Sequence, residues 1–176
     1  MDAPFLAADL KKADPDRYLL SLFAPRAVRP ELWALFSFNA ELVKTRSMVS
    51  NTQLGLIRLQ WWRDEINKIY DGGDGGQIPQ LSTLAPLIHR GDLPHEWFEA
   101  LLYAREFDLE DVAPASAEGL KNYCDFTTTP LNQLMLKIVK EEALIDEIRQ
   151  ISTNFGLCET MRRVPLLLSQ RRNLLP

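Results

Sequence analysis

Apolar positions along this chain recur at intervals of three and four. Leu56, Leu59, Trp62, Ile66, Ile69 and Tyr70 form one broad stripe on a helix that Asn51 or Thr52 would cap. Leu120, Tyr123, Thr127, Leu131, Leu134 and Ile138 form a second stripe on a helix opened by Pro114 and Ser116, which Pro130 should kink. Between and around them the pattern predicts helices over Pro4 to Ala13, Asp16 to Phe23, Pro30 to about Val49, Gln80 to Arg90 with Gly91 as terminator, Pro94 to Glu110, and Ile145 to Leu168. No stretch alternates apolar and polar residues as a strand would, and there are no repeats or low-complexity tracts. The expected fold class is all-α.

Composition narrows the class without changing it. A chain of 176 residues with 46% hydrophobic and 25% charged content is one globular domain, residues 1–176, long enough to bury a substantial core. A formal charge of -4 argues against nonspecific nucleic-acid binding, which needs a basic face for counterion release, and leaves room for local basic patches. Cys124 and Cys158 both fall among apolar helical neighbours, so buried free thiols and a reducing compartment are expected. The first ten residues carry acids and no arginine, unlike a secretory signal or a transit peptide, which predicts a cytoplasmic bacterial protein or a processed organellar one. No run approaches the roughly 18 apolar residues of a spanning helix, so any membrane contact should be peripheral, at an inner membrane.

Most candidate chemistry reads as ordinary structure. Gly72-Gly-Asp-Gly-Gly76 lacks a preceding strand and a following Lys-Ser/Thr, which makes it a surface turn and not a phosphate loop. His89 and His95 have no Cys or second His at ligand spacing, and Ser21, Ser37 and Ser47 have no supporting His and Asp. Trp61 and Trp62 point about 100° apart on a helix, so at least one belongs to the core. Arg58 and Arg63 are expected to stack on aromatics or pair with Asp64 and Glu65. The cluster Glu106, Asp108, Glu110 and Asp111 is expected to be a solvated helix end.

Several ordered strings carry a resemblance: Tyr18-Leu-Leu-Ser-Leu22, Trp33-Ala-Leu-Phe-Ser-Phe38, then Arg58-Leu-Gln-Trp-Trp-Arg63. Together they resemble the squalene/phytoene synthase family, and the phrases FNAEL, LIRLQWW and AREFDL are similar to its branch containing a mitochondrial complex I assembly factor and alphaproteobacterial relatives. The resemblance implies an isoprenoid-synthase-like helical bundle around a central cavity. Family members carry an aspartate-rich run after the phenylalanine, holding Mg²⁺ against a prenyl diphosphate. Val43, Lys44 and Ser47 stand at those acid positions here. A second acidic motif aligns with Glu159 to Leu167, where Arg162 matches and Arg163, Leu166 and Leu167 replace the acids, if Arg171 to Pro176 matches the string that follows it. Tyr123 alone is kept from a third string that lines the prenyl groove. Asp108 matches a family acid. The chain closes directly after the second motif, whereas family members continue, so the expectation is a bundle truncated at its C-terminal end with an exposed apolar seam for a protein partner or self-association.

What the resemblance implies about function divides three ways. A prenyltransferase condensing farnesyl or geranylgeranyl diphosphate head to head would need Mg²⁺, a hard cation that takes oxygen ligands. Lys44 and Arg163 would instead repel it, two unit charges about 4 Å apart costing about 4 kcal/mol at an effective dielectric near 20. Glu41 and Glu159 remain, with Glu41 expected to pair with Lys44 and Glu159 with Arg162 or Arg163. The favoured expectation is a catalytically degenerate, cofactor-free protein that acts by binding, in assembly of a respiratory complex. A third possibility is an isoprenoid or lipid carrier, with Lys44, Arg46, Arg162, Arg163, Tyr123 and Asn39 as candidates to hold a prenyl diphosphate or anionic lipid head group in a charge-inverted pocket.

Overall fold

In the computed structural model, which describes residues 3–110, 112–169 and 175–176, helices form wherever the apolar stripes predict them. They are α1 (Ala3–Ala13), α2 (Pro15–Ser21), α3 (Arg29–Met48), α4 (Thr52–Tyr70), α5 (Pro79–His89), α6 (His95–Asp108), α7 (Ala117–Val139) and α8 (Ile148–Ser169). No strand occurs among the described residues. Their starts are chemically marked. Asp14, Asn51 and Ser116 each accept a backbone N–H of the first turn of α2, α4 and α7, at 3.0, 3.0 and 3.1 Å. Pro15, Pro30 and Pro79 occupy first-turn positions where a missing N–H costs nothing. Thr52, the alternative cap, instead donates its hydroxyl to the Leu109 carbonyl at 3.1 Å.

The helix α3 is the axis of the bundle, packed against α1, α2, α4, α5, α6 and α7. Leu32, Leu35, Phe36, Phe38 and Leu42 are all buried along it. Phe38 meets Trp62 and Phe98 edge to face, with centroids 5.4 and 5.7 Å apart, the arrangement favoured by the ring quadrupole. On α4 the stripe from Leu59 to Ile69 is buried as predicted, but Leu56 is 37% exposed. Gly55 takes the core-facing place there, because a turn of 100° per residue puts positions 55, 59, 62, 66 and 69 on one face. Its missing side chain makes room for Leu109, whose methyl groups would lie 2.5 and 2.7 Å from an added Cβ.

Other expectations divide similarly. The glycine segment after α4 is a turn between helices, and Gly91 closes α5 at φ +75°. Trp62 is buried and Trp61 is 44% exposed. Cys124 is buried, but Cys158 is exposed, since the face of α8 that meets α7 runs through Ser152, Gly156 and Thr160 and leaves residue 158 outside. The last helix begins at Ile148 because a separate 3-10 turn, Glu142–Leu144, precedes it. On α8 the apolar residues Ile151, Met161, Leu166 and Leu168 are exposed.

Close approach of α7 and α8 rests on Gly156, where an added Cβ would sit 2.8 Å from Thr128 Oγ1 and 3.0 Å from Cys124 Cβ. Gly156→Val is therefore expected to lower the unfolding free energy by about 1–3 kcal/mol, as overpacking does. Urea denaturation checks this. A variant as stable as the parent would show that the two helices have room to part.

Candidate functional site

A cavity of about 330 Å³ opens where α3, α6, α7, α8 and the α1–α2 junction converge. The spacing of three to five residues along each helix places its contributors on one face. Asn39, Ala40, Val43 and Lys44 come from α3; Tyr123, Thr127 and Thr128 from α7; Gly156, Glu159, Thr160, Arg162 and Arg163 from α8. Arg105 enters from α6, and Asp14, Asp16 and Arg17 from the junction. Lys44 and Arg163, whose convergence the sequence leaves open, line the same space. Arg46 and Ser47 do not line it: Arg46, two residues past Lys44, is turned about 200° around α3, while Ser47 shares the face of Val43 but sits in the last turn of the helix, past the cavity. Leu166 is exposed and Leu167 buried, both outside the cavity. Of the string Arg171 to Pro176, positions 171–174 lie outside the described residues, as does Asp111.

The lining charges are mostly spoken for. Glu41 accepts from Lys44 at 2.7 Å, as the sequence suggests, and also from Arg58 on α4 at 3.0 Å. Arg58 therefore does not pair with Asp64 or Glu65, and Arg63 goes instead to Glu99 and Glu106 on α6, both at 2.8 Å. These cross-helix partners are set by tertiary packing that sequence spacing does not show. Glu159 does not pair with Arg162 or Arg163. Arg17 donates to it at 3.1 Å, having already bonded Asp14 at 2.6 Å, while its guanidinium lies 5.0 Å over the Phe155 ring. Arg162 reaches Asp16 at 2.7 Å. Arg163 has no ion-pair partner among the described residues.

Deeper in the wall sits a group the sequence does not announce. Arg105, 7% exposed, donates to Asp108 at 3.0 Å, and Tyr123 donates to the other carboxylate oxygen at 2.6 Å. Asp108 is thus not a solvated helix end but the acceptor of a shielded triad, because residues 105 and 108 share the face of α6 that turns toward α7. Burial pushes the Tyr123 phenol above its ordinary value, and the Asp108 charge adds to this, while Arg105 and Arg163 pull it back. For Arg105 burial works against the charge, yet Asp108, Tyr123 and Glu159 outweigh it and the guanidinium is held above its usual range. Two atoms in this region are buried without partners, Arg105 Nε and Asn39 Oδ1, each an unmet demand of about 1–3 kcal/mol. Sequence patterns do not mark Arg105, Arg17 and Asp14 as site residues. Arg105 lies inside the phrase AREFDL, and the Asp14–Pro15 start signal brings Arg17 with it.

Among the described residues no group of three or more His, Cys, Asp or Glu side chains could hold a metal ion. His89 contacts the Ile69 and Gly73 carbonyls at 3.1 and 2.9 Å, and His95 the Asn67 side chain at 2.7 Å, so both serve the fold.

The profile of the family described as Squalene/phytoene synthase matches residues 10–176. Proteins named NADH dehydrogenase (ubiquinone) complex I, assembly factor 6, from Bos taurus and Homo sapiens are each 31% identical over 169 residues, covering 95% of this chain and 50% of their own length. A homolog of that name from Dictyostelium discoideum is 31% identical over 137 residues, 77% of this chain and 38% of its own. The chain thus spans about half the length, or less, of these relatives.

The raised phenols give a pH signature. A folded-state tyrosine value above the ordinary 10.0 means that the native state holds its proton where the unfolded chain has lost it. The contribution is whole below pH 10 and disappears as pH rises from there through the folded value. Stability should therefore fall in alkali, and Tyr123→Phe should flatten part of that fall, with Tyr70, also raised by burial and by Glu96, supplying another part. Thermal unfolding between pH 8 and pH 11 checks this; an identical alkaline slope in Tyr123→Phe would refute it.

Proposed function

We propose that this chain, which belongs to the squalene/phytoene synthase family, is a catalytically degenerate member that works by binding, in the assembly of an NADH dehydrogenase complex I. What supports the reading is one juxtaposition: Val43 and Lys44 on α3 and Arg163 on α8 share a cavity whose three lining carboxylates, Asp14, Asp16 and Glu159, are each bonded to an arginine. Ionising an allylic diphosphate requires the leaving group's charge to be neutralised, which in metal-assisted chemistry is the work of cations held by several oxygen ligands. A carboxylate already committed to a guanidinium is a poor ligand for another cation. The relatives' names supply the second support, since they describe assembly factors of complex I. No described helix is long and apolar enough to cross a membrane, so we place contact with a membrane-bound partner at the protein's surface.

Purified protein with Mg²⁺ and farnesyl or geranylgeranyl diphosphate is expected to release no diphosphate above background. Loss of the gene is expected to reduce assembled complex I on native gels, with recovery on re-expression. Squalene or phytoene in the first experiment, or an unchanged complex in the second, would overturn the proposal.

A further inference from the structure

We propose that the cavity holds a phosphate group without a metal ion, gripped by Arg163 and supported by Arg105 and Asn39. The inference rests on the non-catalytic reading above and assigns that site a ligand class. Five cationic side chains and three carboxylates line the space, and Glu41 and Asp108 stand behind Lys44 and Arg105, which leaves Arg163 as the lining cation with no ion-pair partner among the described residues. A phosphate group carries about -1.5 to -2 at pH 7 and three strong acceptor oxygens, so it can meet the Arg163 fork and still accept from a second buried donor.

The cations are not equivalent. Lys44 and Arg162 are tied to Glu41 and Asp16, and Arg17 to two carboxylates, so these shape the field but have little left to donate. Arg163 lines the cavity with its whole fork uncommitted among the described residues, and that planar fork fits two phosphate oxygens at once. Arg105 and Asn39, 7% and 3% exposed, also line the cavity and each keeps a buried polar atom without a partner. Amide oxygen and nitrogen are interchangeable by a flip of the Asn39 side chain, so this residue can present either a donor or an acceptor. Liquid water fills about 30 Å³ per molecule, so 330 Å³ admits a phosphate together with bridging waters.

The phosphate can come free or on a lipid, and the surroundings allow both. Arg17 is also part of the wall of an apolar groove of about 340 Å³ lined by Leu20, Phe36, Met135, Ile151 and Phe155.

Calorimetric titration of the full chain in EDTA with inorganic phosphate and with farnesyl monophosphate, alongside flotation on phosphatidylcholine vesicles with and without phosphatidic acid, tests the site and tells the sources apart. Binding is expected in EDTA, weakened about tenfold or more by Arg163→Ala, the loss of one charge-assisted contact. Lys44→Ala should change it by less than about threefold, because Lys44 is already paired. Arg163 is exposed, so its alanine variant should fold, and circular dichroism verifies that. Absence of binding by every probe in EDTA, binding only with Mg²⁺, or equal losses in the two variants would overturn the site. Those results leave the assembly role standing if complex I still depends on the gene, whereas squalene or phytoene production removes the assembly role whatever phosphate does.

Discussion

The site depends on α3 being walled in by its neighbours. A helix packed against six others can keep only one rotation about its axis, and here Phe38, between Trp62 and Phe98, fixes it. Burying such a ring contributes about 1.5–3 kcal/mol, with about 0.5–1.5 more from each aromatic pair. Once Phe38 and Leu42 point into the core, Asn39 and Val43 must lie about 100° further round, where α7 and α8 leave a gap. The position of Lys44 at the cavity is therefore a consequence of core packing on the opposite side of the same helix. A shift of one residue would lose both.

Electrostatics then decides what the gap can be. Cations facing one another from α3, α6 and α8 would repel across it, and carboxylates stand behind or beside all of them but Arg163: Glu41 behind Lys44, Asp16 beside Arg162, Asp108 behind Arg105. Glu41 serves two cations, Lys44 and Arg58, and so also joins α3 to α4. Removing one partner from a buried pair costs about 3–5 kcal/mol because the other charge is stranded. That figure applies to Arg105 and Asp108, which are well shielded, and not to the exposed Arg162–Asp16 pair, whose attraction solvent and salt screen. Pairing thus stabilises the wall while consuming the oxygen ligands that a divalent cation would need.

The fold was legible in the sequence because apolar spacing repeats along every long helix, and a repeat survives a few misassigned positions. Leu56 takes the stripe's place in the sequence because a glycine has no hydrophobic signature, although Gly55 is the residue facing inward. The site was legible only where a motif marked it. Val43, Lys44 and Arg163 were found through their places in two strings, and Glu41 through its spacing from Lys44. Arg17–Glu159 spans 142 positions and Arg162–Asp16 spans 146, distances at which no local rule operates. Asp108 is hidden for the same reason: a run of acids at a helix end looks solvated until α7 brings Tyr123 against it. Local chemistry predicted helices and caps, and tertiary proximity chose the ion-pair partners.

The two principal walls of the cavity are anchored unequally. The helix α3 buries leucines and phenylalanines along most of its length, whereas α8 buries Ser152, Thr153, Gly156 and Thr160 and only two large apolar side chains, Ile148 and Leu167. Small residues permit a close crossing with α7 but remove little apolar area from water, so α8 draws less from the hydrophobic effect. Part of its attachment comes instead from polar links to the α1–α2 junction, through Arg17–Glu159 and Arg162–Asp16, which salt and solvent weaken. An element held this way opens at lower free energy than the core. A group that bridged α3 and α8 across the cavity would bind the closed arrangement in preference and stabilise it by mass action, which would couple occupancy of the cavity to the order of α8.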